Sequence, residues 1–357
     1  MELRIGIIGF GTVGSGFVEL LHEKGRLLKS RYGLEARVVG ITDLVKGSIY
    51  DEHGLDLARV LELNAAQDSL LGYPGAVPFD DFGSLDLVRA EGVDVVVEVT
   101  PTNLETGEPG ATHIREALKA GKHVITTNKG PIALYYRELR ELAARKGVFL
   151  RFEGTVMSGT PCISMGYECL RGAEITRIRG IVNGTTNFIL TEMARGVSYE
   201  EALRRAQELG YAEADPTADV EGWDAVAKAM ILANVFLGAQ LKVGEVEREG
   251  ITGITPEDIR AAEKKGAKVK LVAEVARESG RVVAKVGPEE VPLTDPLAYV
   301  DGVLNAIVFS TDTLGDVMLV GEGAGGRQAA QAILSDLLWI RAYLAGSLGD
   351  RPMTLFP

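Results

Sequence analysis

Three glycines, Gly9, Gly11 and Gly14, stand directly behind a short apolar strand, Leu3 to Ile8, and open an amphipathic helix, Thr12 to Leu28. Few local patterns restrict a fold so tightly. In a strand-to-helix turn of this spacing the first glycine permits the tight turn. The second lets a pyrophosphate come against bare backbone, and the third lets helix pack close to strand. The phosphates then lie at the helix N-terminus, where N–H groups and the helix dipole attract anions. A purely structural glycine turn is the competing reading, but the position between strand and helix points to dinucleotide binding. Gly9, Phe10, Gly11, Thr12, Val13 and Gly14 are accordingly the expected first contacts of NAD or NADP.

The sequence downstream keeps the same grammar. Arg37 to Thr42 reads as a second strand ending at Asp43, where an acid takes the ribose 2′-hydroxyl and favours NAD. Lys46 stands close enough along the chain to meet a 2′-phosphate instead, so both cofactors stay open. Ser48 to Gly75, with a helix around Leu55 to Leu61, reads as an insertion. Gly92 to Thr100 carries a run too apolar for an exposed edge and typical of a buried parallel strand. Ala111 to Ala120 is a helix closed by Gly121, and His123 to Thr126 is the next strand. Such alternation predicts an α/β fold with a Rossmann-like, doubly wound parallel sheet. Thr100 follows the buried strand at its carboxyl end, where ligands of these sheets bind. The glycine cluster from Gly321 to Gly326 precedes the last helix and offers a second set of N–H groups, Gly325 among them; a flexible turn explains it equally well.

Beyond about residue 130 the pattern changes. Val148 to Phe152, Ile175 to Val182, Arg281 to Val286, Ala306 to Ser310 and Val317 to Val320 read as strands, with helices gathered between them. Ser198 and Thr255, each with an acid three residues on, are helix starts. The expectation is a dinucleotide-binding domain over residues 1–130 and an α+β catalytic and dimerisation domain over 131–321, with the final helix, 322–345, packing back onto the first. A net charge of −12 argues against nucleic acid, whose phosphates need clustered Lys and Arg. No run approaches the about 18 apolar residues of a membrane span, and the N-terminal stretch runs straight into the glycine turn, unlike a secretion signal. Cys162 and Cys169 have no histidine near them and read as reduced, structural residues of a cytoplasmic protein. All four histidines lie at or before His123, so proton transfer in the second half must use Lys, Asp, Glu, Tyr or water.

Asp215, Asp219, Glu221 and Asp224 crowd the stretch that leads to Lys228. If Gly222 or Trp223 opens the apolar helix there, Asp224 and Lys228 share one face four residues apart. Alone, that pair describes an ordinary surface salt bridge. Beside a carboxylate and partly buried, the same lysine is a proton shuttle.

These residues belong to a longer pattern. Ala206-x-x-x-Gly210-Tyr211-Ala212-x-x-Asp215-Pro216-x-x-Asp219-Val220-x-Gly222-x-Asp224-x-x-x-Lys228 resembles the homoserine dehydrogenase signature at every fixed position. Asn183-Gly184-Thr185-Thr186-Asn187 is similar to that family's substrate-site turn. Thr127-Asn128-Lys129, Glu153-Gly154-Thr155-Val156 and the Gly321 cluster match in order and spacing, so the resemblance covers essentially the whole chain. It implies NAD(P)-dependent interconversion of L-homoserine and L-aspartate 4-semialdehyde, a step toward threonine, methionine and isoleucine. Carried over residue by residue, Lys228 is the proton donor and acceptor, and Asp224 orients the substrate amino group or tunes Lys228. Glu213 and Asp219 hold the substrate with Asn183, Gly184 and Thr185, and Lys129 is a second charge-stabilising group where cofactor and substrate meet. The family also carries a monovalent cation, usually sodium. It would sit on Glu153 and the carbonyls of Val156, Ser158 and Thr160, although Met157-Ser158-Gly159-Thr160 departs from the commoner Gly/Ala-rich version.

Elementary chemistry agrees. Hydride leaves C4 of homoserine as the hydroxyl proton is removed, so an acid/base group must reach that oxygen. Reduction needs a cation there to stabilise the developing alkoxide, and lysine serves both ends. Acids suit the substrate ammonium, and N–H groups at a helix start suit its carboxylate. The resemblance also implies a homodimer. The short tail from Arg351 to Pro357 leads us to expect the unfused form without a dedicated threonine site. The alternatives are another amino-acid dehydrogenase of the same architecture, such as one acting on aspartate, or a non-catalytic dinucleotide sensor. The sensor would have no use for Lys129, Glu213, Asp224 and Lys228 together.

Overall fold

The computed structural model describes residues 1–346, which divide into two compact units: residues 1–155 with the segment from Gly325 on, and Val156–Ala324. The tail from Arg351 to Pro357 lies outside the described residues.

In the first unit the chain runs β1 (Glu2–Ile8), α1 (Thr12–Tyr32), β2 (Glu35–Asp43), β3 (Gly47–Tyr50), α2 (Leu57–Gln67), α3 (Ser84–Arg89), β4 (Val95–Glu98), α4 (Gly110–Lys119), β5 (His123–Thr126), α5 (Lys129–Lys146) and β6 (Leu150–Arg151). The sheet order is β3-β2-β1-β4-β5-β6, and every pairing is parallel except β2 with β3. The order reverses between β1 and β4, whose carboxyl ends pair at Ile8 and Glu98. A crevice at such a reversal is where sheets of this kind bind ligands. Both faces are covered. Ile5 and Ile7 pack with Phe17 and Leu20 of α1 and with Ile333, Leu337 and Ile340 of the last helix (Gly326–Leu344). Ile8, Val96 and Val124 pack with Leu87, Ile114 and Leu139. Each such burial stabilises by about 1.5–3 kcal/mol, and a sheet buried twice reads as continuous apolar runs. The last helix lies close on α1: a Cβ added at Gly16 would come 3.3 Å from the Gly326 carbonyl oxygen.

The second unit contains α6 (Cys162–Ser164), β7 (Ile175–Ile181), α7 (Gly184–Ala194), α8 (Tyr199–Glu208), α9 (Thr217–Val220), α10 (Trp223–Phe236), β8 (Glu247–Arg248), α11 (Pro256–Lys264), β9 (Ala267–Glu278), β10 (Arg281–Pro292), β11 (Leu304–Thr311) and β12 (Gly315–Glu322). Its sheet, β12-β11-β7-β9-β10-β8, is antiparallel apart from β8 against β10. Helices α7, α10 and α11 pack on β9, and α10 also reaches β10. Both expected helix starts are capped: Ser198 Oγ accepts from Glu201 N, and Thr255 forms a full capping box with Asp258.

Three stretches differ from the sequence reading. Part of the insertion after β2 is the antiparallel edge strand β3, too short to show alternation. The strand placed over Val148 to Phe152 and grouped with the second domain is β6, so it extends the first sheet, and α5 belongs to the first unit with it. Strand β9, left without an element, is hidden in sequence by charges at core-facing positions. Lys270 is only 1% exposed because its ammonium bonds Asn187 Oδ1 (3.0 Å), the Val300 carbonyl (2.6 Å) and Asp301 Oδ1 (2.8 Å).

Candidate active site

At the head of α1 the three glycines do different work. Gly9 has φ of +94°, and a Cβ there would lie 2.8 Å from the Val99 carbonyl oxygen. A Cβ at Gly14 would lie 2.3 Å from the Gly9 carbonyl oxygen. A Cβ at Gly11 would meet nothing within 4 Å, so the open backbone is at the one glycine where a pyrophosphate needs it. Thr12 and Val13 form the first turn of α1. The turn is pinned from β2: Phe10 N donates to Asp43 Oδ2 at 2.7 Å, and Gly9 N donates to the Thr42 carbonyl at 2.8 Å. Gly325, with φ of +125°, precedes the last helix, α12 (Gly326–Leu344), and a Cβ at Gly326 would press within 2.4 Å of the Thr12 methyl. Two helix N-termini therefore lie side by side here.

Sequence reasoning passed over the residue at the carboxyl end of β4, where the strand order reverses. Glu98, fully buried at the end of β4, accepts from Thr100 N (3.1 Å), from the Thr100 hydroxyl, and from the Thr126 hydroxyl (3.2 Å). The Thr100 hydroxyl in turn accepts from Asn128 Nδ2 at 3.3 Å. Asn128 caps α5 by accepting from Gly130 N, which sets Lys129 at the first helical position. One carboxylate thus fixes Thr100 and, through Asn128, the start of the helix that carries Lys129. A single acid at the carboxyl end of an otherwise apolar buried strand was the available signal.

In the second unit the acidic stretch sorts itself by partner. Asp215 accepts from Thr217 N and its hydroxyl, a local turn. Glu221 serves Arg248 and Thr252. Gly222, with φ of +82°, caps α10, and its first two turns bring Asp224 Oδ2 2.8 Å from Lys228 Nζ. Lys228 is 7% exposed and also donates to the Val182 carbonyl at 2.6 Å, so the pair is not a surface ion pair. Asn183, the N-cap of α7, donates through one amide nitrogen to Asp219 Oδ1 (2.6 Å) and Asp224 Oδ2 (2.9 Å), while its carbonyl oxygen accepts from Thr186 N (2.9 Å). Burial first, and the Asp224 charge second, push the Asp219 carboxyl above its ordinary range, although bonds from Asn183 and Thr185 oppose this. The Thr185 hydroxyl also donates to the Tyr211 carbonyl at 2.6 Å. A Cβ at Gly184 would lie 2.9 Å from the Val303 carbonyl oxygen, which explains the glycine. Asn183, Thr185, Asp219, Asp224 and Lys228 are thus brought together; Glu213 stays exposed outside this group, with its carbonyl accepting from Gln207.

The residues carried over for a cation lie along one loop. Glu153 is 2% exposed, and its N–H donates to Asp336 Oδ2 at 2.9 Å. Met157 and Ser158 both take left-handed backbone, with φ of 59° and 50°. The Val156 carbonyl accepts from Cys162 Sγ (3.4 Å), the Thr160 carbonyl accepts from Cys162 N (2.8 Å), and Thr160 N donates to the Met157 carbonyl (2.9 Å). Among the described residues no group of three His, Cys, Asp or Glu side chains could hold a metal.

Two family models match the chain: "Homoserine dehydrogenase, NAD binding domain" over residues 9–153 and "Homoserine dehydrogenase" over residues 161–338. The chain is 45% identical over 335 residues to the homoserine dehydrogenase of Methanocaldococcus jannaschii, covering 94% of this chain and 97% of that one. It is 42% identical over 340 residues to the NAD(+)-dependent homoserine dehydrogenase of Pseudomonas canavaninivorans, covering 95% and 96%. Among solved structures, a hyperthermophilic archaeal homoserine dehydrogenase in complex with NADPH superposes with a TM-score of 0.82 at 36% identity, covering 97% of this chain and 98% of that one.

Proposed function

The chain belongs to the homoserine dehydrogenase family, and on that premise we propose how its residues carry out the NAD(P)-dependent interconversion of L-homoserine and L-aspartate 4-semialdehyde. The observation that carries the assignment is the buried Lys228 ammonium, fixed at 2.8 Å from Asp224 and 2.6 Å from the Val182 carbonyl. Those two bonds leave one N–H direction for a substrate oxygen. In reduction the ammonium protonates the developing alkoxide; in oxidation the neutral amine takes the C4 hydroxyl proton as hydride leaves. The nicotinamide, when bound, supplies or accepts that hydride. Asp224 orients Lys228, and Asp219 with Asp224 binds the substrate ammonium. Asn183 bridges and aims the two carboxylates through its amide nitrogen, and Glu213, exposed outside their group, is proposed as a separate substrate-holding acid. The α7 N-terminus at Gly184 and Thr185 takes the substrate carboxylate. Lys129, set by Asn128, is the second charge-stabilising group, and Gly9 to Gly14, Asp43, Thr100 and Gly325 hold the dinucleotide.

Reduction of NAD or NADP by L-homoserine, followed by nicotinamide absorbance, tests the reading; no turnover with either nucleotide would sink it. The same assay tests Asp219. Its carboxyl is pushed up, so the ionised form that binds ammonium is lost as pH falls through a value above the usual carboxylate pKa of about 4. KM for homoserine should rise on acidification within that range. A KM that stays flat down to about pH 4 would remove Asp219 from substrate binding.

A buried carboxylate followed by a loop of carbonyls is an all-oxygen donor set suited to a hard cation. We take sodium as the ion, held by Glu153 and the carbonyls of Val156, Ser158 and Thr160. Exchange of sodium for choline should lower both activity and melting temperature, and Glu153→Ala should be indifferent to the exchange. Equal sensitivity in both proteins would move the ion elsewhere. Exposed Leu304 and Val320 on β11 and β12 support a homodimer through the second unit; sedimentation at the mass of one chain would exclude it. No helix among the described residues is long and apolar enough to cross a membrane. We place the enzyme in the cytoplasm, on the route to threonine, methionine and isoleucine; fractionation that finds it elsewhere would overturn the location.

A further inference from the structure

We propose that this chain selects NAD over NADP through two residues at the end of β2: Asp43, presented as a fixed anion, and Lys46, whose charge is already taken by α2. The inference rests on the dinucleotide reading of the Gly9 turn. In sequence these two residues pull in opposite directions, because an acid at this point suits a ribose 2′-hydroxyl and a cation suits a 2′-phosphate. Their geometry separates them.

Asp43 is held by three main-chain donors. Its Oδ2 accepts from Phe10 N at 2.7 Å, and its Oδ1 accepts from Val45 N at 2.9 Å and Lys46 N at 3.0 Å. Three N–H bonds fix the carboxylate against the glycine turn. Oδ2, with a single main-chain donor, keeps a lone pair for a hydroxyl proton, which a carboxylate accepts well and a phosphate cannot donate. Lys46 points elsewhere. Its Nζ lies 2.6 Å from Asp68 Oδ1 and 2.7 Å from Asn64 Oδ1, with its side chain 14% exposed. Its carbonyl accepts from Leu70 N at 2.9 Å. The side chain therefore staples the C-terminus of α2 to the β2–β3 turn, passing 5.8 Å from the Phe10 ring centre. Asp43, Lys46 and Asp68 together leave this corner with one net negative charge. The two residues between Asp43 and Lys46 add no cation: Leu44 and Val45 are 75% and 85% exposed, an apolar surface suited to a base.

The test is direct binding of NADH and NADPH, read by nucleotide fluorescence, so that it does not depend on turnover. The wild-type chain should bind NADH at least about tenfold more tightly than NADPH. Asp68→Asn keeps a residue tolerant of the left-handed backbone there (φ of 47°) and frees the Lys46 charge. It should tighten NADPH about threefold or more and leave NADH within about twofold. Lys46→Met, checked for an unchanged melting profile, should weaken NADPH by no more than about twofold. Equal or tighter binding of NADPH by the wild type, loss of NADPH affinity in Lys46→Met, or no response in Asp68→Asn would each overturn the proposal. Failure of both nucleotides to bind would instead bring down the dinucleotide reading beneath it.

Discussion

Lys228→Ala should turn over homoserine at least about 10²-fold more slowly while binding NADH within about twofold of the wild type. The loss follows from what the position holds. The ammonium is fixed by Asp224 and the Val182 carbonyl, in a unit without a single histidine, so no neighbour offers a proton of comparable reach. Lys228→Arg should fail almost as badly, because a guanidinium keeps its charge but cannot give up a proton in the working range. An added small amine should restore part of the rate in Lys228→Ala by occupying the space left by the side chain. A merely structural loss would not respond to it. The substitution also leaves Asp219 and Asp224 facing each other without their cation, so a lower melting temperature is expected alongside. Near-normal turnover in Lys228→Ala would remove this residue from the chemistry.

The parts legible in sequence are those where one local rule decides the outcome. The glycine turn is fixed by sterics at Gly9 and Gly14, and β5 by a short apolar run between Gly121 and Lys129. The spacing of Asp224 and Lys228 on α10 follows from helix geometry alone. Where partners come from far along the chain, sequence falls silent. Lys270 looks like a strand-breaking charge until Asn187, Val300 and Asp301 are seen around it. Glu98 looks like an interruption in a valine run until Thr100 and Thr126 close on it. The four acids before Lys228 are alike in sequence. Only their partners divide them, Thr217 for Asp215, Arg248 for Glu221 and Asn183 for the other two. Asn183 itself reads as a plain helix cap, which it is, and its second bond set is invisible without the fold. Lys46 shows the same limit in reverse, because a cation beside a cofactor turn invites a phosphate until its own partners are known.

The second large effect is on stability, at a position that no motif marks. Asp336→Ala should destabilise the first unit by about 3–5 kcal/mol, lowering its melting temperature on the order of 10 °C. Asp336 is 1% exposed on α12, and its Oδ1 accepts from Arg151 Nε at 2.9 Å. Its Oδ2 accepts from Glu153 N at 2.9 Å, so one carboxylate ties β6 and the turn after it to the last helix. Arg151 is itself buried, and its guanidinium lies 4.4 Å from the centre of the Trp339 ring. Burial alone pushes the Asp336 carboxyl up, against the pull of Arg151 and the Glu153 N–H. Truncation removes the acceptor from a buried guanidinium and from a main-chain N–H, each loss costing about 1–3 kcal/mol. The decisive control is Arg151→Met with Asp336→Leu. If the cost is that of taking the Asp336 acceptor away from the buried guanidinium, this apolar pair should regain most of the lost stability, because two well-packed apolar side chains replace a buried ion pair at little net loss. If the cost is instead the loss of the Glu153 N–H bond, the double variant should stay as unstable as Asp336→Ala. An Asp336→Ala protein within about 1 kcal/mol of the wild type in a denaturant titration would show that neither bond matters to the fold.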